Sequence, residues 1–157
     1  MKVAGIIGIV LAVLAVGAVG YAALGRTGPK EFLLGTAATV YKDPSCGCCG
    51  QYVDFLRSSS DLEVEVEMTS SLASFKDSMG IPADVRSCHV MVIGDYFIEG
   101  HVPLEAVQKL LADRPDIKGI ALPGMPSGSP GMLGPKRGPW TVYAVHRDGS
   151  TSVFMTV

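Results

Sequence analysis

The spacing of apolar residues changes several times along this chain, and each change marks an element. Residues 3–24 are a run of 22 without a single charge. As a helix that run would be about 33 Å long at about 1.5 Å per residue, enough to cross a bilayer. It is apolar on every face and terminal, so it does not read as one helix of a folded core. Two readings remain open. One is an uncleaved membrane anchor. The other is a secretory signal peptide, with Lys2 in front and Ala18, Ala22 and Ala23 near its end but no clean Ala-x-Ala cleavage site. Either exports the rest of the chain. Lys2 faces Arg26 and Lys30 across the span, so flanking charge fixes no orientation.

After a short linker, residues 26–35, the rhythm turns to short elements. Residues 39–42 alternate as a strand, stopped by Asp43-Pro44. Ser45 is placed to cap a helix in which Cys49, Tyr52, Val53 and Leu56 recur at i, i+3, i+4 and i+7. Residues 62–68, Leu-Glu-Val-Glu-Val-Glu-Met, alternate throughout. They read as a strand with one dry face and a solvated row of glutamates that also guards an edge. Ser70 or Ser71 caps a short helix over 72–79, ended by Gly80 and Pro82. Residues 90–93 and 96–98 form a hairpin across Gly94-Asp95. Pro103 starts a helix with Leu104, Val107, Leu110 and Leu111 inward. Residues 122–132 are a loop rich in Pro, Gly and Ser, and 141–146 with 151–156 make a last hairpin about Asp148-Gly149.

The predicted order is strand, helix, strand, helix, strand, strand, helix. It resembles the thioredoxin-like α/β plan, here with a C-terminal β-hairpin extension and an N-terminal apolar helix. The chain divides into three segments: residues 1–25 as transmembrane anchor or signal peptide, 26–35 as linker, and 36–157 as the folded domain. In that plan the strand after the second helix runs antiparallel to the first. Its start, at Cys88, is therefore expected beside residues 46–49, and the next strand returns His101 to the same end.

Length and charge narrow the function. A chain of 157 residues can bury a real core, and a net charge of −2 gives no reason to expect nucleic acid. Four cysteines are too few to staple a chain of this length, and three of them fall in Cys46-Gly-Cys48-Cys49. That run opens a helix, where backbone N–H groups and the helix dipole favour a thiolate. Cys49 belongs to the buried stripe, while Cys46 and Cys48 occupy the exposed first turn.

With those residues in place, the chain resembles the CopG-type copper-resistance family of exported, thioredoxin-like metal-binding proteins. The matching pieces are Tyr-Lys-Asp-Pro-Ser-Cys-Gly-Cys-Cys-Gly at 41–50, Ser-Cys-His at 87–89, Ile-Glu-Gly-His-Val-Pro at 98–103 and Pro-Gly-Met-Pro-Ser-Gly-Ser-Pro-Gly-Met at 123–132. They run in order from about residue 36 to the end. The resemblance implies copper bound at the cysteines and copper handling outside the cytoplasm, in the periplasm or on the outer face of the membrane. A copper-transport or electron-transfer protein is a further expected partner.

The chemistry of the residues bears on the same question. Thiolate and thioether sulfur select Cu(I), and Zn(II) also accepts four thiolates. Cys48 and Cys49 are adjacent, so on a helix they point about 100° apart, which suits bridging several ions better than closing on one. Four thiolates balance four Cu(I) ions but leave one Zn(II) site at −2. The expectation is a cysteine-bridged copper site of Cys46, Cys48, Cys49 and Cys88. His101, Met125 and Met132 are further candidate ligands, although methionines also simply fill gaps. His89 is expected to point away from Cys88, and His146 to be an ordinary surface residue. Copper cycling between Cu(I) and Cu(II) would make the protein a copper oxidoreductase. The alternatives are thiol–disulfide exchange by Cys46 and Cys49, and a structural zinc site. Against exchange stand the extra thiol Cys48 and the thiol of Cys88, which takes the place of the proline found beside the disulfide in thioredoxin-like oxidoreductases.

Overall fold

The computed structural model describes residues 33–157. The expectations for residues 1–25 and for most of the linker lie outside them. Among the described residues no helix is long and apolar enough to cross a membrane.

The strands are β1 (Ala37–Lys42), β2 (Glu63–Met68), β3 (His89–Ile93), β4 (Tyr96–Glu99), β5 (Gly119–Ala121), β6 (Thr141–Val145) and β7 (Thr151–Thr156). The helices are α1 (Gly47–Ser59), α2 (Leu72–Ser78) and α3 (Leu104–Asp113). The strands join in a seven-stranded sheet of order β2-β1-β3-β4-β5-β6-β7. β1 runs parallel to β2 and antiparallel to β3, with Val40 opposite Met91 and Lys42 opposite His89. β3 turns back into β4, and β4 pairs parallel with β5.

Strand alternation sorts the side chains onto two faces. Val40, Met91, Ile93, Ile98, Ile120 and Val142 pack with Tyr52 and Leu56 of α1 and Val107 and Leu110 of α3. Val90, Phe97 and Val145 form a smaller cluster with Ile81 and Val85, against which Leu72 and Phe75 of α2 pack. Helices thus cover both faces.

The predicted elements appear in the predicted order, with five differences, one of which is that Ser71 stands at the N-cap of α2 but makes no side-chain cap bond. Residues 119–121 form β5, which the sequence does not announce. Three residues, Gly-Ile-Ala, are too few to show a period and have little intrinsic preference for strand. The dry face of β2 is only half-buried at Val64 and Val66, and Met68 is 65% exposed, because β2 is an edge strand. Ser45 does not cap α1. Its N–H and hydroxyl both donate to Asp43 Oδ1, at 2.8 and 2.5 Å, and Cys46 takes the N-cap position. Leu111 of α3 is only partly buried, and Ala106 takes an inward place with Leu104, Val107 and Leu110.

Candidate metal centre

Three connections bring the site together at one end of the sheet. β1 ends at Lys42, and the turn made by Asp43 and Ser45 leads straight into α1. β3 starts opposite Lys42, which puts Cys88 beside the first turn of α1. β4 ends at Glu99, opposite Val90, so His101 comes at the same end. The loop carrying Met125 then lies over α1. Gly131 has φ +75° and presses so close that a Cβ there would sit 2.5 Å from the Tyr52 backbone nitrogen, so only glycine allows this contact.

Cys46 and Cys49 are joined by a disulfide, with their Cα atoms 5.5 Å apart. Cys48 and Cys88 are free thiols, each partly exposed. Cys48 Sγ lies 3.6 Å from Cys46 Sγ, 3.7 Å from Cys88 Sγ and 3.7 Å from Met125 Sδ. Cys49 is fully buried, and its sulfur lies 3.5 Å from the Cys88 carbonyl oxygen. Bonded to Cys46, it carries no S–H, so that approach is a packing contact. The sulfurs of all four cysteines lie within 4.8 Å of one another.

A second trio shares Cys88. His101 Nε2 is 3.2 Å from Cys88 Sγ, and His89 Nδ1 is 3.4 Å from the same sulfur. His101 Nδ1 sits 2.7 Å from the Pro130 carbonyl oxygen. A carbonyl only accepts, so Nδ1 carries the proton and the lone pair of Nε2 faces the thiol. Both imidazoles are fully buried. They pack around Tyr52, whose ring centroid is 4.6 Å from that of His89 and 5.5 Å from that of His101. The Tyr52 hydroxyl donates to the Val102 carbonyl at 2.9 Å.

Burial sets the protonation states here. It pushes the Cys88 thiol up to about 12, with the neighbouring Cys48 thiol adding to the effect, so in this form Cys88 is a thiol at neutral pH. Burial lowers His89 to about 3, helped by the charges of His101 and Lys76. It also holds His101 below its ordinary value, although the bond to Pro130 works the other way. What meets at this point is therefore soft sulfur together with neutral imidazole.

The structure thus gathers Cys46, Cys48, Cys49, Cys88, His101 and Met125. Met132 is held by its backbone N–H, which donates to Ser129 O at 2.8 Å, and among the described residues no thiol hydrogen-bonds to its sulfur as Cys48 does to that of Met125. His146 is half-buried beside the last turn, away from the cysteines as expected, and bonds Ser152. The expectation that His89 points away from Cys88 does not hold. Regular alternation begins only at His89, the first residue of β3, and Cys88 lies just before it. Sequence reasoning also passes over Lys76 and Glu99, buried charges that bond to Ser87 next to Cys88. The available signal was a glutamate closing the apolar strand Tyr-Phe-Ile-Glu.

A family model described as "Protein of unknown function, DUF411" matches residues 85–132, the stretch that holds Cys88, both buried histidines and both loop methionines. Two solved structures are similar over most of the chain, "Copper resistance protein copG- Form 1" and the corresponding Form 2. Each is 35% identical, with a TM-score of 0.72, and each match covers 78% of this chain and 98% of the other. No curated protein matches the sequence.

Proposed function

The chain belongs to the CopG copper-resistance family, and from that premise we propose that it handles copper outside the cytoplasm, held there by residues 1–25 as an anchor or exported by them as a signal. The domain, residues 36–157, is read as a thioredoxin-like scaffold. Copper is the cargo. The observation that carries this reading is the convergence of the Cys48, Cys88 and Met125 sulfurs, with the His101 Nε2 lone pair facing the same thiol. Soft sulfur with neutral imidazole is a donor set suited to Cu(I).

Reduction of the Cys46–Cys49 disulfide adds two thiols to this set. Four thiolates then balance the charge of several Cu(I) ions, which favours a bridged, polynuclear site. The same pair supplies a redox step that balances. Two Cu(II) ions each take one electron from the Cys46 and Cys49 thiolates, leaving two Cu(I) ions and an S–S bond. In this reading copper cycles between its two states, and a copper-transport or electron-transfer protein is the partner.

The disulfide itself favours a second reading, thiol–disulfide exchange with protein substrates at the start of α1. Structural zinc is less well supported, because none of the four cysteines belongs to either core cluster.

One titration separates these readings. The full chain, reduced under anaerobic conditions in detergent, is titrated with Cu(I) against a competing chelator while metal and free thiols are counted. Two or more tightly held coppers with all four thiols protected support the copper reading. Weak copper binding, with the Cys46–Cys49 disulfide forming readily, overturns it in favour of exchange.

A further inference from the structure

We propose that Lys76 and Glu99 are positioning residues, a buried clamp that grips the peptide before Cys88 and so sets where its sulfur meets the copper site. Cys88 needs such a device. It lies in irregular chain between a 3-10 turn (Ala83–Val85) and β3, so no sheet ladder fixes it. Lys76, on α2, is 3% exposed, and Glu99, at the end of β4, is fully buried. Their charges meet at 2.5 Å.

Both members of the pair also reach Ser87. Lys76 Nζ donates to the Ser87 carbonyl at 2.7 Å, and Glu99 Oε1 accepts the Ser87 N–H at 2.5 Å. One residue is thus held from both sides by groups on two different elements. Gly100 completes the grip. At φ +81° it lets the end of β4 close on Ser87, whose Cβ would lie only 2.6 Å from a Cβ at that position. The Ser87 hydroxyl in turn donates to the carbonyl of Gly124, the residue before Met125. The loops carrying Cys88 and Met125 therefore meet on one clamped residue.

An ion pair in this setting is a poor way to gain stability. Apolar residues of similar volume often serve a core as well or better. What they cannot do is bond both the N–H and the carbonyl of Ser87. The role assigned here is that of an outer-shell group, which orients a ligand without touching the metal. It rests on the reading of Cys88 as a copper ligand.

The test uses the full chain in detergent, with Cu(I) as the probe. Lys76→Met/Glu99→Leu replaces the clamp with apolar side chains, and Cys88→Ser serves as the reference. The double variant is expected to keep the wild-type circular dichroism and most of the wild-type stability. It should bind Cu(I) about tenfold or more weakly, with fewer sulfurs per copper in the X-ray absorption spectrum. Lys76→Met/Glu99→Gln keeps an acceptor for the Ser87 N–H, brings no unpaired charge into the core, and is the second variant should the first not fold. It should also weaken Cu(I) binding, by less than the first variant because one bond to Ser87 is kept. Wild-type affinity and sulfur count in either folded variant, while Cys88→Ser loses copper, overturns the clamp alone. Equal binding by wild type and Cys88→Ser overturns the reading of Cys88 beneath it.

Discussion

Cys48 Sγ lies 3.7 Å from Cys88 Sγ across 40 residues of chain. The approach is made by the antiparallel pairing of β1 with β3, which sets the start of β3 against the turn into α1. The two thiols converge at one end of the sheet and neither belongs to its core clusters, so the core is packed independently of them.

The first prediction comes from that independence. Cys88→Ser should lower the number of coppers bound per chain while changing stability by about 1 kcal/mol or less, as for other substitutions at the edge of a core. Elemental analysis after Cu(I) loading, with circular dichroism on the same sample, checks both parts. An unchanged copper count would remove Cys88 from the site.

The two loop methionines should behave differently. Met125 Sδ is 3.7 Å from Cys48 Sγ, whereas among the described residues no thiol hydrogen-bonds to the Met132 sulfur. Met125→Leu keeps the volume and removes the thioether, and should weaken Cu(I) by several-fold, about 1 kcal/mol. Met132→Leu should bind like wild type. Competition titrations of the two variants side by side decide it, and equal losses would mean that the loop matters only as a cover.

Acid should destabilise the metal-free protein in a defined window. His89 is neutral in the folded state, its value lowered from 6.5 to about 3 by burial first and by neighbouring charge second. Between those values the unfolded chain binds a proton that the folded chain refuses. Stability is therefore full above pH 6.5 and falls as pH drops toward 3, by about 1.4 kcal/mol per pH unit for this one group. Burial lowers His101 as well, which acts with the same sign. His89→Phe keeps an aromatic ring against Tyr52 and should flatten part of that slope in urea unfolding from pH 7 to pH 4. A variant slope as steep as that of wild type would place the sensitivity elsewhere.

How much of this was legible in the sequence depends on whether a feature is local. The buried stripe Cys49, Tyr52, Val53, Leu56 was readable because a helix repeats every few residues, and the structure buries all four. The meeting of Cys88 and His101 with residues 46–49 was readable from strand order alone. β5 was not, because a three-residue strand gains its identity from its neighbours β4 and β6. Nor was the choice between Met125 and Met132, which turns on how a loop rich in Gly and Pro folds over α1. The disulfide between Cys46 and Cys49, with Cys48 left free, had the spacing for exchange, but the sequence alone left that pairing beside the alternative of four ligand thiols.

The buried pair Lys76 and Glu99 gives the last prediction, on stability. Lys76→Met alone leaves the Glu99 carboxylate in the core without its ammonium, and Glu99 Oε2 already has no hydrogen-bond partner among the described residues. Breaking a buried pair from one side costs about 3–5 kcal/mol, whereas replacing both members with apolar groups is often neutral. Lys76→Met should therefore lower the urea midpoint sharply, and adding Glu99→Leu should restore most of it. The sign with pH comes from the same carboxyl. Burial pushes Glu99 up, opposed by Lys76. Once Lys76 is gone, the carboxyl is more readily protonated, and the penalty in the single variant should shrink as pH falls. Urea unfolding of wild type, the single and the double variant at pH 7.5 and pH 5.5 tests this. A single variant as stable as the double at pH 7.5 would show that the pair is not coupled through its charges.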